Sequence, residues 1–487
     1  MKHKFSPLIG LLTLPLLLSA CAISPSAQVN HSSGSNKWTA GFGSAVIIPE
    51  DIKNHPLYIS GYNQGWLVDS YLNNGRLYVY EGILDGWGEE KMPDYAQARA
   101  VFLDAGSGGV LLIGIDCVAL STYHVEMIRQ QLASVAKKKN CISVNVYATH
   151  SHALPDTLGL WGPMGIDGKD EAYMANVVEA AVSAGTQALT EQHTGQLRYG
   201  KVTTEDVLYD SRQPAVFDAD LHQLRFESED VFGIRMYFYG AHAESLRGAN
   251  RKLSRDFPGV LCDLVTAETG DYTMFLPGAI GGLIMTREFT TAATINLQTT
   301  GRILADYALS ITPESETILK PDMAIARTEF TCPLDNNAFL YYQFLGILKC
   351  NAEKGDSRTG YLVRSEMSVL KLDTLAITLI PGEIFPELVY GGSYGTASTE
   401  NKNPTPLLEI ANRFGVQDLL IIGLANDELG YIVSPSDFLI NPDNPYLDRM
   451  KDKTGEDHYE ETNSVGPEMA HVIAEAFEKL MNAIYPQ

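Results

Sequence analysis

Cysteine is scarce in this chain, with six in 487 residues. None stand in C-x-x-C spacing, so a thiolate metal site is not expected. Five follow Cys21, namely Cys117, Cys141, Cys262, Cys332 and Cys350, and an odd number cannot all pair. Cys332 and Cys350 flank a short insert and are a possible pair, while Cys117 and Cys141 lie in apolar, strand-like contexts that suit small buried thiols. Positive charge is also sparse, with 36 Lys and Arg against 59 Asp and Glu and a formal net charge of −23. Such a surface repels nucleic acid and anionic membrane, so a nucleic-acid partner is excluded. The longest basic tract, Lys137-Lys138-Lys139, belongs at a helix end, where cations complement the helix dipole. Long apolar runs are missing except near the N-terminus, where Leu8–Leu18 is too short to span a bilayer. Nothing repeats at a fixed period. The glycine-rich stretch Met274–Thr286 lacks G-x-G-x-x-G, and no Walker lysine occurs, so neither a dinucleotide site nor a P-loop is expected.

What is present is ordinary globular composition, 45% hydrophobic and 20% charged. Apolar runs at 99–103 and 110–116, separated by a glycine-rich spacer, read as a hairpin. Helical spacing follows over about 122–139, with Val125, Ile128, Leu132 and Val135 on one face. Alternation over 144–148 gives another strand, and 171–189 another helix. Strands are expected at 221–226, 231–239, 375–380 and 418–424. Helices are expected after Arg255 and over the amphipathic C-terminal stretch that carries Val472, Ile473, Phe477 and Leu480. Strands interleaved with helices define an α/β fold, with mixed sheets flanked by helices. No linker is evident between 38 and 487.

Polar residues gather just past the strand ends. His150 and His152 follow 144–148, His242 follows 231–239, Glu383 follows 375–380, and Tyr431 lies beyond 418–424. In α/β sheets, strand C-terminal ends converge on the ligand crevice. Imidazoles, a carboxylate and a phenolate there make a plausible Zn²⁺ shell with room for water. The alternative for His150 and His152 is a loop with two solvated histidines. Asp116 closes its strand and reads either as a rim carboxylate or as a turn residue.

The N-terminus resembles a bacterial lipoprotein leader. Lys2 and Lys4 precede the apolar run, and Leu18-Ser19-Ala20-Cys21 resembles a lipobox. This implies processing before Cys21, lipidation of its thiol, and a lipid-anchored place in the cell envelope. Residues 1–21 are then the leader with its cysteine, 22–37 a flexible tether of small polar residues, and 38–487 the catalytic domain.

Thr149-His150-Ser151-His152-Ala153-Leu154-Pro155 resembles the T-H-T-H-S-G-P motif of the neutral ceramidase family. In the same order, Ser211-Arg212-Gln213-Pro214 resembles its N-R-S-P. Tyr239–His242, with Ser254–Gly259 behind it, resembles its second histidine segment. Pro381-Gly382-Glu383 matches its P-G-E, and Leu424–Ser434 is similar to its double-tyrosine segment. Tyr459-Glu460 followed by Gly466-Pro467 resembles its ending. The resemblance implies a zinc amidase that splits ceramide-like N-acyl amides. It implies Zn²⁺ held by His150, His242, Glu383 and Tyr431. His152 would stabilise an oxyanion or carry a proton, and Arg212 would orient the amide. Three departures stand out. Ile284 occupies the place of the family's serine nucleophile. Glu428 replaces the first tyrosine of the double-tyrosine segment and is a candidate general base for water. No counterpart of the family's C-terminal immunoglobulin-like domain is seen. The reading is therefore a zinc hydrolase of a lipid or small-molecule amide working through activated water. The alternative is an inactive lipoprotein that retains the metal for binding.

Overall fold

The structure is a computed structural model and describes residues 22–23, 26–49, 57–62, 82–86, 92–163, 165–204, 206–212, 215–282, 284–392, 402–439, 446 and 460–486. The lipobox Cys21, the run Leu8–Leu18, and Gln213, Pro214 and Tyr459 lie outside these residues.

Two sheets stack face to face. Among the described residues the larger has nine strands, and its central order runs Tyr272–Pro277, Gly233–Tyr239, Asp220–Ser228, Gln192–Thr203, Trp38–Val46, Gln97–Asp104, Gly109–Ile115 and Cys141–Ala148. The two outermost pairs are parallel and the rest antiparallel. The smaller sheet, with seven strands among the described residues, is built around Met323–Pro333, Tyr361–Leu372, Leu375–Leu379 and Leu419–Ile422, the last two parallel. The core between the sheets contains Val101, Leu112, Leu224 and Phe238 from one and Ile325, Leu370, Ile377 and Leu420 from the other. Helices Thr122–Lys138 and Glu171–Thr190 cover part of the outer face of the larger sheet. Helices Asp256–Thr269 and Ala293–Ser310 cover another part. The C-terminal helix Met469–Ile484 covers the outer face of the smaller sheet. The layers therefore run helix, sheet, sheet, helix, as the α/β expectation requires. Because both faces of the larger sheet are buried, strands such as Gly109–Ile115 are apolar without alternation.

Three expectations change. Residues 22–37 are not simply a tether, since Ala22–Ile23 and Gln28–Ser32 both pair antiparallel with Met323–Pro333. Backbone bonds at a sheet edge need no apolar side chains, so polar composition did not reveal them. Cys332 and Cys350 do not pair. Neither forms a disulfide, Cys332 lies in the core, and Cys350 Sγ donates to Gln343 Oε1 at 2.7 Å. The strand expected from Val231 starts at Gly233, because Val231 turns with φ at +61°.

The site lies where the sheets are laced together. Tyr147 Oη donates to the Phe275 carbonyl at 2.9 Å, which ties opposite margins of the larger sheet. Segment 423–426 of the smaller sheet enters the same place. Gly423 N donates to Pro277 O at 3.0 Å, and Asn426 N to Val146 O at 2.7 Å. Asn426 Oδ1 accepts from Val146 N at 3.0 Å.

Candidate metal centre

Each histidine arrives from a strand end by a specific turn. Beyond Ala148, Thr149 N bonds Ile115 O at 3.0 Å, and its hydroxyl donates to Asp116 Oδ1 at 3.1 Å. Asp116 Oδ2 also accepts from Gln97 N at 3.0 Å. Asp116 therefore anchors the loop and does not face the cluster. His150 then takes φ of +65°, a left-handed conformation that costs a non-glycine residue on the order of 1 kcal/mol. His152 N donates to Ala243 O at 3.0 Å, which joins this loop to the one carrying His242. Glu383 N donates to Gly430 O at 3.1 Å, and Glu383 is the parallel ladder partner of Tyr431.

These turns bring His150, His152, His242 and Glu383 together, all buried. His242 Nε2 lies 3.0 Å and His150 Nε2 3.4 Å from the same oxygen, Glu383 Oε2. His150 Nε2 is 3.0 Å from His152 Nε2. Ligand nitrogens of the three imidazoles all lie within 4.8 Å of one another.

The second nitrogen of each candidate ligand indicates what this cluster can hold. His150 Nδ1 is 2.8 Å from Val118 O, and His242 Nδ1 is 3.1 Å from Ile284 O. A carbonyl only accepts, so both Nδ1 atoms donate. In the neutral rings the Nε2 lone pairs then converge on a carboxylate oxygen. Acceptors facing acceptors call for a positive charge between them. Zinc bonds of about 2.0–2.1 Å in a tetrahedron put neighbouring ligand atoms about 3.3 Å apart. The observed 3.0 and 3.4 Å bracket that edge. The donor set fits a divalent cation.

The charges agree with this arrangement. Burial alone would raise the Glu383 carboxyl, but His150 and His242 overrule it and hold it well below the usual range. Burial likewise opposes charge on His242, and Glu383 outweighs it, so that ring is raised. On His152 the Glu383 charge does not outweigh burial. Burial, with His150 and His242 beside it, holds His152 well below the ordinary imidazole value.

The other expected residues are placed differently. Tyr431 is buried beside Glu383, its ring 6.4 Å from that of Phe385. Glu428 Oε1 accepts from Gly430 N at 2.8 Å, while Oε2 is buried without a hydrogen-bond partner. Burial first, and the Glu383 charge second, push the Glu428 carboxyl well above its usual range. Arg212 pairs with Glu460 at 3.1 Å, approaches Asp437 at 4.0 Å and lies 4.7 Å over the Phe385 ring. It thus reaches the site through Phe385, two residues beyond Glu383. Ile284 is fully buried on the short strand Ile284–Thr286, packed with Leu208 and Tyr239, and only its carbonyl serves the site.

Sequence reasoning missed Glu244. Its Oε2 is 3.5 Å from His152 Nδ1, and its Oε1 is buried without a partner. Tyr62 Oη donates to the Glu244 carbonyl at 2.5 Å, and the Tyr62 ring meets His152 edge-on at 5.4 Å. A carboxylate two residues past a candidate ligand, in His242-Ala243-Glu244, was the available signal. Leu158, six residues beyond His152, is buried in the helix-side core. Trp161 is half-buried and donates from Nε1 to Tyr62 O at 3.1 Å.

The fold and cluster define an α/β protein with a buried histidine–carboxylate site able to hold a metal. Among solved structures, the neutral ceramidase from Pseudomonas aeruginosa matches with a TM-score of 0.64 at 14% identity, over 93% of this chain and 75% of that one. A ceramidase complexed with C2 matches with a TM-score of 0.65 at 13% identity, over 92% and 75%. The chain therefore has a neutral-ceramidase-like fold. No family model matches the sequence. No curated protein matches it either.

Proposed function

We propose that this protein is a zinc-dependent hydrolase of a ceramide-like N-acyl amide, with water as the attacking group. The convergence of His150 Nε2, His242 Nε2 and Glu383 Oε2, each imidazole steered by a backbone carbonyl, carries the reading. Tyr431 completes the shell from the ladder position beside Glu383. The ceramidase-like fold supports an amide with a lipid chain as substrate. When bound, zinc polarises a carbonyl and makes water acidic enough to serve as a nucleophile near neutrality. The chain's own groups do the rest. Glu428, with a free buried oxygen, takes the water proton. Glu428 then returns that proton to the leaving amine, while His152, 3.0 Å from His150, faces the oxyanion. Arg212 braces the Phe385 wall that stands against Tyr431. Ile284 offers no hydroxyl, which is why water and not a side chain attacks.

The same isoleucine favours a second reading, a metal-retaining binding lipoprotein without turnover. Elemental analysis joined to an amide panel separates the two. The hydrolase reading expects about one zinc per chain and chelator-sensitive cleavage of N-acyl amides. Metal without cleavage of any amide or ester supports the binding reading, and protein without metal removes both.

A further inference from the structure

Helix Asn337–Phe344 is apolar on both sides. Its inner side is buried through Ala338, Phe339 and Tyr342. Phe339 packs beside Gly430, where a Cβ would lie 3.3 Å from its ring. This side therefore supports the loop that carries Glu428 and Tyr431. Among the described residues, the outer side is exposed. Tyr341, Phe344 and the adjoining Leu345 are 44–65% exposed. Ile166, 59% exposed, lies next to them, since a Cβ on Gly165 would meet Leu345 and the Tyr341 hydroxyl at 3.7 and 3.8 Å. The loop bearing Ile166 leads back through Trp161 and Tyr62 to His152. Phe339 on one side, and Trp161 with Tyr62 on the other, thus connect this region to the loops of the metal centre.

We propose that this patch is the surface on which the protein docks to a lipid bilayer, with the metal centre just behind it. The proposal rests on the lipid amide reading above. Large exposed apolar patches mark interaction sites, and aromatic side chains favour the bilayer interface. Charge agrees. Residues 157–166 and 337–348 contain no charged residue, in a chain of net charge −23. Lys349, next along, sits 5.8 Å over the Tyr123 ring. An acidic surface is repelled by anionic lipid headgroups, and these two segments add no charge to that repulsion. The path of the chain also agrees. Ala22, the residue after the lipobox cysteine, pairs with Thr331 near the end of Met323–Pro333. Leu334 N then bonds Tyr361 O, and the Tyr361 ring meets Phe344 at 5.5 Å. The first described residues of the chain thus join the strand that leads into the helix bearing the patch.

The test uses the processed chain, residues 21–487, with Cys21→Ser so that no lipid is added and every described element is kept. Parent and Phe344→Ser/Leu345→Ser proteins are sedimented with phosphatidylcholine vesicles. The parent should bind, and the variant should bind about tenfold or more weakly, given the apolar area withdrawn. Cleavage of a soluble short-chain N-acyl amide should be equal in both. A parent that ignores vesicles, or a variant that binds as well, overturns the proposal. So does a parent that is a dimer in solution and that the variant makes monomeric without any vesicle binding. If neither protein cleaves the soluble amide, the hydrolase reading fails, and the vesicle result still decides the docking surface.

Discussion

His150 carries its imidazole on a left-handed backbone that a histidine adopts only at a cost, and that strain aims Nε2 at Glu383. Glu383 is the residue on which both candidate ligands converge, so it is the sharpest point to test. Glu383→Gln keeps the shape and removes the charge. It should weaken zinc by more than the roughly 10–100-fold typical of losing a partner one step out from a metal, as read by chelator competition. Ile284→Ser tests the other side of the argument. Restoring a hydroxyl there should not restore a nucleophile, because the side chain lies among Leu208 and Tyr239 in the core. It should instead cost about 2–5 kcal/mol, seen as a lowered denaturation midpoint, with no gain in amide cleavage. At this scale the histidines and Glu383 were legible in sequence, because each follows an apolar strand. Glu244 was not, because its relation to His152 depends on the loop-to-loop bond from His152 N to Ala243 O. The setting of Arg212 was also hidden, since its partners Glu460 and Asp437 lie more than 200 residues along the chain.

Among the elements, segment 423–426 and the residues after it have an outsized role. Asp427 accepts from Thr122 N, Glu428 N and the Ser365 hydroxyl at 2.9, 3.0 and 2.8 Å. It thereby fastens the first turn of helix Thr122–Lys138 to the smaller sheet. Burial pushes its carboxyl up to about 6, and these bonds only partly offset that. A carboxyl whose folded pKa is raised binds its proton more tightly in the native state. Its contribution to stability is therefore intact at low pH and is lost as pH rises through about 6. At about 1.4 kcal/mol per pH unit, roughly 3 kcal/mol is at stake. Asp427→Asn retains acceptance from the two N–H groups and cannot ionise. It should match or exceed the parent in urea midpoint at pH 8 and lose that advantage at pH 4. The elements themselves were largely legible. Helix Glu171–Thr190 and strands Gln97–Asp104 and Gly109–Ile115 fall where apolar periodicity put them. The short ladder of Glu383–Ile384 with Tyr431–Ile432 was not, because two residues carry no period.

In the whole molecule, the candidate metal centre is a junction between sheets. His150 and His242 hang from the larger sheet, whereas Glu383 and Tyr431 follow strands of the smaller one. Sequence spacing could suggest that four strand ends meet, but it could not show that two separate sheets supply them, since that depends on the packing of one against the other. The consequence is thermodynamic. A cation bound across the junction binds the native state and not the unfolded chain, so it stabilises by mass action, by about 2.7 kcal/mol at a hundred times its dissociation constant. Stripping the metal with a chelator should lower the melting temperature, and added Zn²⁺ should restore it in a concentration-dependent way. His242→Ala, which removes a ligand from the larger sheet, should melt at a temperature that zinc no longer shifts. If zinc raises the parent and the His242→Ala protein equally, the metal binds elsewhere, and the cluster of His150, His242 and Glu383 is not its site.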